Sequence, residues 1–330
     1  MKKAIVTGGG GFVGLAVVRK LIEQGVETGV IGRGVYPEVE KLGARVFRGD
    51  IRDSSFMRKS CRGCDTVFHV AAKAGIWGSW NDYYSINVTG TENVISSCRD
   101  NDITTLVYTS TPSVVFSGVD LCGVDEAFPY AKKFLCHYAH TKVIAEQKIL
   151  AANSDQLHTA ALRPHLVWGP GDTNLIPRLL DRGRRNVLKQ VGPGDNLVDI
   201  SFIDNVATAH LLAAENLHSS GTASGNAYFI SQGDPVNLWE WINTLFAQVG
   251  IPQVEKVVNY QKAYWAGGIL EMIHKVFPIL GEPLMTRFLA EQLAKSHWFS
   301  IEKAQQDLGY APLVSTEEGM ERMLEWIGRD

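Results

Sequence analysis

With 330 residues, 45% of them apolar, the chain can bury a sizeable core in one large or two moderate domains, which excludes a disordered tail and a disulfide miniprotein. A net charge of −3, with acids and bases mixed throughout, gives no basic field for nucleic acid, so the expected ligand is small. Five cysteines, an odd number, do not form a secreted disulfide framework.

The chain opens Met1-Lys2-Lys3, and glycines begin at Gly8, so no apolar stretch of signal-peptide length forms and a cytoplasmic location is expected. Lys3 to Thr7 reads as a short buried strand. After it, Val13, Val17 and Leu21 with Val18 and Ile22 recur at helical spacing. Between them, Gly8, Gly11 and Gly14 stand three residues apart around Phe12 and Val13. Strand, glycine turn and helix in this order suit a dinucleotide. The backbone can approach the pyrophosphate closely, and the helix N-terminus meets its charge. Thr28–Ile31 is the next strand, ending Gly32-Arg33. An acid there would bond the ribose hydroxyls of NAD, whereas Arg33 accommodates a 2′-phosphate, so NADP(H) is expected unless Arg33 is a plain solvated loop residue. Asp50 and Ile51, after the strand Ala44–Phe47, suit the adenine edge, although an Asp there also caps helices.

Cys61 and Cys64 make one C-x-x-C before the strand Thr66–Val70. With no second pair they read as packing residues, and no metal site is expected. Leu106–Thr109 is a fifth strand, followed by Ser110, Thr111 and Ser113. Ligands of open α/β sheets bind at such strand ends, where a hydroxyl can stabilise a carbonyl oxygen becoming an alkoxide. A helix is predicted over Tyr138–Ala152. Tyr138 and Lys142, at i and i+4, share one face, and the lysine cation would favour the ionised phenol. Thr159–Leu162 is a further strand, stopping at Arg163-Pro164.

Alternation of strand and helix predicts a Rossmann-type, doubly wound parallel sheet over residues 1–165. A smaller, mainly helical substrate lobe should follow over 166–330, with some strands returning to the first sheet. Ala263 to Leu280 is interrupted by Glu271, His274, Lys275 and Pro278, which excludes a spanning helix, yet it is apolar on more than one face. A membrane surface, another chain such as a pathway enzyme or a second copy, or a long-chain ligand should cover it. A greasy lid over two alkyl chains is the expectation.

Gly8/Gly11/Gly14, Ser110-Thr111, Tyr138/Lys142 and Arg163-Pro164 together resemble the extended short-chain dehydrogenase/reductase family over essentially the whole chain. The resemblance implies an oxidoreductase in which Tyr138 is the proton donor and Lys142 also holds the nicotinamide ribose. It further implies that His69-Val70-Ala71-Ala72 and the adjoining Lys73 line the cofactor with Pro164, and that Asn87 is a structural and proton-relay residue. The catalytic hydroxyl falls on Thr111 by register, where the family usually has serine, so Ser110 and Thr111 both stay candidates. Within the family, Ala72–Gly78, Arg163–Asp172 and Phe229–Asn237 are most similar to the 3β-hydroxysteroid dehydrogenase-like branch, and there to reductases of 2-alkyl-3-oxoalkanoates in bacterial long-chain olefin biosynthesis. That resemblance implies NADPH-dependent reduction of a β-keto acid, with His165 a candidate for the nicotinamide or the carboxylate. A sterol or 3β-hydroxysteroid dehydrogenase, and a catalytically silent nucleotide-binding sensor, are the alternatives.

Overall fold

The computed structural model describes residues 1–328. Seven parallel strands form the central sheet, in the order Asn226–Ile230, His158–Pro164, Thr105–Thr109, Thr66–His69, Lys3–Thr7, Glu27–Gly32 and Arg45–Arg48. The inner strands are apolar along their length because helices cover both faces. Strand order reverses on either side of Lys3–Thr7, which opens a crevice beyond its C-terminal end. Strand His158–Pro164 runs past Arg163, where the sequence pattern stops, because Asn226–Ile230 pairs with it as far as Pro164.

The helix Phe12–Glu23 turns Ala16, Val17 and Leu21 inward and packs against the helix Ile203–His218, whose Ala207, Ala213 and Ala214 are small enough for close approach. Cys61, Cys64 and Cys98 are free thiols in the core on one side of the sheet. A four-stranded sheet joins Val236–Asn237, Leu197–Val198, His297–Phe299 and Leu121–Val124. With the helices Leu175–Arg184, Leu238–Gln248, Tyr260–Val276 and Arg287–Ala294 it builds the second lobe. Among the described residues no helix is long and apolar enough to cross a membrane.

The helix His137–Ala151 is fixed to the sheet by a buried charge. Glu146 is fully buried and takes the Arg163 guanidinium at 2.6 Å, itself 3% exposed. It also accepts hydrogen bonds from Tyr130 Oη (2.8 Å) and from the Ser110 hydroxyl. Arg163 stacks near Phe229 and Tyr130, at 5.0 and 5.5 Å from their ring centroids. A carboxylate and a guanidinium leave water only when each finds the other, and removing one partner strands the second. Glu146→Leu should therefore cost about 3–5 kcal/mol in reversible urea unfolding, while Glu146→Leu with Arg163→Met should cost much less. Additive losses in the double variant would show that the pair itself contributes nothing.

Candidate active site

The glycine loop is shaped by what cannot fit. A Cβ on Gly14 would lie 2.2 Å from the Gly8 carbonyl oxygen, and one on Gly8, whose φ is +70°, 2.8 Å from Ala71 Cα. The turn therefore closes tightly against the Thr66–His69 strand end, and Thr7 Oγ1 holds it there, accepting from Ala71 N–H (3.2 Å) and lying 2.8 Å from His69 Nδ1. Gly11 caps the helix Phe12–Glu23 without a side-chain hydrogen bond, and no acid stands in its first turn. Its first N–H groups are left for an anion. This end opens into a cleft of about 510 Å³ lined by Gly8, Gly11, Phe12, Val13 and Gly14. Arg33, Asp50, Ile51, Ala71, Ala72 and Pro164 complete its cofactor side, and Thr111, Tyr138 and Lys142 its far end. The residues present fit a nicotinamide dinucleotide.

Arg33 is exposed on the rim and makes no hydrogen bond or ion pair among the described residues, so its guanidinium is available. Asp50 is less free. Its carboxylate takes Arg52 Nε and Nη2 at 3.0 and 2.7 Å, which holds it below the usual carboxylate range. Tyr36 gave no signal in the sequence, yet its ring crosses the loop: a Cβ on Gly10 would stand 2.0 Å from it, and one on Gly32 2.5 Å from its hydroxyl.

Lys142 is 2% exposed and donates from Nζ to the Thr109 carbonyl at 2.6 Å, with Nζ 4.2 Å from the Tyr108 ring centroid. One turn earlier, the Tyr138 phenol lines the same end of the cleft as Thr111, whose own hydroxyl donates to Ser113 Oγ at 3.2 Å. Burial dominates both groups: it pushes Tyr138 up to about 12, against the downward pull of Thr111, and brings Lys142 down to about 7, against the attraction of Glu146. The expectation that the lysine lowers the phenol is not met in this cleft, because desolvation outweighs a cation turned toward a backbone carbonyl. Ser110 and Thr111 both line the cleft, but Ser110 donates its hydroxyl to Glu146, whereas Thr111 is the hydroxyl that acts on the Tyr138 phenol electrostatically. Glu146 stands at i+8 from Tyr138, on the same helical stripe as Lys142.

Asn87 lies in a single π-turn, Ser85–Thr89. Its Oδ1 accepts from Lys73 N–H (2.7 Å), while its two N–H groups go to the Lys73 carbonyl (3.1 Å) and Thr141 Oγ1 (3.0 Å). It clamps the Ala71–Lys73 strap to the catalytic helix and has no donor left for a relay. The same clamp corrects Lys73, which leaves the cleft wall: its ammonium lies 5.3 Å from the Tyr83 ring centroid. His165 also leaves the site. It is buried, with Nε2 2.6 Å from His297 Nδ1, and desolvation keeps it neutral. Leu166 lines the cleft in its place, with φ +38°.

A second cavity adjoins the catalytic helix. Trp77, Trp80, His137, His140, His274 and Lys275 stand in its wall. The helix Tyr260–Val276 offers it polar residues only, which corrects the expected greasy lid. A Cβ on Gly267 would meet the Thr286 carbonyl carbon at 2.6 Å, and Glu271 accepts from Arg287 N–H at 2.7 Å. These close contacts turn the Ala263–Gly267–Glu271 side inward, so Trp265, Ile269, Met272 and Val276 face out.

The 3-beta hydroxysteroid dehydrogenase/isomerase family matches residues 5–259. A 2-alkyl-3-oxoalkanoate reductase of Stenotrophomonas maltophilia is 48% identical over 324 residues, 97% of this chain and 98% of the relative. One from Shewanella oneidensis is 47% identical, covering 97% and 85%. A sterol-4-alpha-carboxylate 3-dehydrogenase, decarboxylating, of Mus musculus is 33% identical, covering 98% and 90%. Among solved structures, gox2253 superposes with a TM-score of 0.82 at 25% identity, covering 100% of this chain and 98% of that one. A dTDP-glucose 4,6-dehydratase from Streptomyces venezuelae shares the fold, with a TM-score of 0.78 at 22% identity over 99% and 97%. Sheet, glycine turn, Tyr-Lys helix and whole-length kinship agree: the chain belongs to the 3-beta hydroxysteroid dehydrogenase/isomerase family and is an oxidoreductase.

Proposed function

We propose that the chain reduces a 2-alkyl-3-oxoalkanoic acid to its 3-hydroxy acid with NADPH, as a step of long-chain olefin biosynthesis. The observation that carries the chemistry is the Tyr138 phenol, set with Thr111 in one cleft wall at the strand end and raised in pKa by burial. A phenol that keeps its proton at neutral pH is a donor, which suits reduction. Whole-length likeness to two reductases of that name supports the substrate class. The sterol relative adds a chemical argument. By its name, the substrate of that enzyme also carries a carboxylate on the carbon beside the oxygen-bearing one, so a β-oxygenated acid is the shared element.

NADPH supplies the hydride when bound. Gly11, Phe12 and Val13 would hold its pyrophosphate, Arg33 its 2′-phosphate and Lys142 its nicotinamide ribose. Thr111 and Tyr138 orient the keto oxygen, and Tyr138 gives it the proton as it becomes an alkoxide. The carboxylate turns to Lys275 and Arg287 of the adjoining cavity, in place of His165. The alkyl chains lie along Ile76, Trp77, Phe134 and Leu135.

Tyr138→Phe should keep NADPH binding and lose at least ~100-fold in turnover, and Thr111→Val a comparable ~100-fold. Ser110→Ala should instead keep turnover and lose about 1 kcal/mol of stability, because Glu146 Oε2 loses its closest donor and keeps only Arg163 Nε at 3.2 Å. Steady-state kinetics and unfolding on the three variants decide between the two hydroxyls. The reverse pattern would hand the role to Ser110.

Lys142 gives a pH dependence. Its value of about 7 in the free cleft means that a ligand of net negative charge, by favouring the ammonium, is bound together with a proton. NADPH affinity should be greatest below pH 7 and fall as pH rises through the higher value in the complex, by at most ~10-fold per unit. Fluorescence titrations from pH 6 to 9 should show this slope, and Lys142→Met should flatten it. A slope retained in the variant would assign the proton elsewhere.

The substrate reading is tested by NADPH oxidation on a series of 2-alkyl-3-keto acids beside a ketosteroid. Specificity kcat/KM should rise with chain length, each buried methylene contributing up to ~0.8 kcal/mol, and the steroid should be poor. Arg33→Asp should lower the NADPH to NADH preference by at least ~10-fold. A preferred steroid, or short acids equal to long ones, would remove the olefin role while leaving the reductase chemistry.

A further inference from the structure

Most of the large apolar side chains exposed among the described residues lie between Trp265 and Leu284. Trp265, Ile269, Met272 and Val276 repeat at helical spacing on one face, with Trp265 70% exposed. The following turn adds Phe277, Leu280 and Ile279, the last 95% exposed. A contiguous patch of this kind marks a surface that something covers. A ligand in the adjoining cavity cannot do so, because the helix turns Glu271, His274 and Lys275 toward that cavity and its apolar face away.

The charges around the patch select the cover. Both acids of the segment are neutralised, Glu271 by Arg287 at 2.8 Å and Glu282 by Arg178 at 3.1 Å. Lys262 is exposed without an ion pair among the described residues, and Arg182 reaches the edge of the patch, donating to the Leu284 carbonyl at 3.4 Å. The rim is thus cationic on a chain whose net charge is −3. A second copy meeting this face across a two-fold axis would set the same cations against themselves. An anionic lipid surface offers the opposite charge, and an apolar stripe rimmed by cationic side chains matches an interfacial helix.

We propose that the helix Tyr260–Val276 and the turn Phe277–Leu284 dock the chain on an anionic bilayer. Trp265, Ile269 and Ile279 enter the acyl boundary, while Lys262 and Arg182 meet the headgroups. The cavity behind this helix would then open beside the leaflet from which a long-chain acid could enter. That last step rests on the proposed substrate; the docking does not.

Co-sedimentation of the full chain with vesicles of phosphatidylglycerol and phosphatidylethanolamine, against phosphatidylcholine vesicles, tests the docking. Binding to the anionic vesicles should be at least ~10-fold stronger and should weaken in ~0.5 M salt. Trp265→Ser with Ile279→Ser should lower it at least ~10-fold, and Lys262→Glu by a few-fold, with melting temperature and turnover of a short soluble keto acid unchanged. Absence of binding, equal binding by the double variant, or a dimer in sedimentation that the double variant converts to monomer would overturn it. Tyr138→Phe should bind vesicles like the parent. Docking without turnover of any long-chain keto acid would leave this inference standing and remove the substrate, and turnover without docking would do the opposite.

Discussion

The burial of Glu146 against Arg163 is the constraint on which the reacting end of the cleft depends. Two charges below 4% exposure stay in a protein interior only while they meet, so the helix His137–Ala151 and the strand His158–Pro164 have one permitted alignment. That alignment sets Tyr138 and Lys142, two turns and one turn before Glu146, over the ends of the strands. It also engages Ser110, because the carboxylate uses the serine hydroxyl to complete its own shell.

Two further polar clamps convert this alignment into a site. Asn87 spends its amide on both backbone groups of Lys73 and on Thr141, tying the strap beside the glycine turn to the catalytic helix. Lys142 anchors on the Thr109 carbonyl. Each clamp is a buried polar group whose partners are dictated by the cost of leaving it unsatisfied. The pKa values follow from the same burial. A phenol raised to about 12 and an amine lowered to about 7 are two readings of one desolvated pocket, and a negatively charged ligand changes both balances.

The second lobe follows a different logic. Gly267 and Glu271 bring the helix Tyr260–Val276 against Thr286 and Arg287, so backbone proximity and an ion pair, rather than the largest apolar side chains, choose its buried side. Greasy side chains are left on the outside and imidazoles and a lysine toward the cavity. A lobe built in this way separates a polar inner wall from an apolar outer one.

The sequence by itself determined the parallel sheet, the glycine turn and the Tyr138–Lys142 face. Each of these is written in local spacing, as period-2 and period-3.6 apolar runs and in glycines whose missing Cβ the turn requires. It also placed Gly8, Gly11, Gly14, Arg33, Ala71, Ala72 and Thr111 around one cleft, because strand ends of an open sheet converge at the crevice. Only the tertiary structure decided the rest. Whether Ser110 or Thr111 faces Tyr138 depends on Glu146, a residue 36 positions away along the chain. His165 is withdrawn by His297, 132 positions away, and Lys73 by its clamp on Asn87. Tyr36 enters the cleft because Gly10 of the glycine turn, with Gly32 and Gly34 at the end of the strand Glu27–Gly32, leaves it room. The facing of the helix Tyr260–Val276 was hidden for the same reason: hydrophobicity says that a side chain would gain by leaving water, whereas the partner that buries it is a matter of distant contacts.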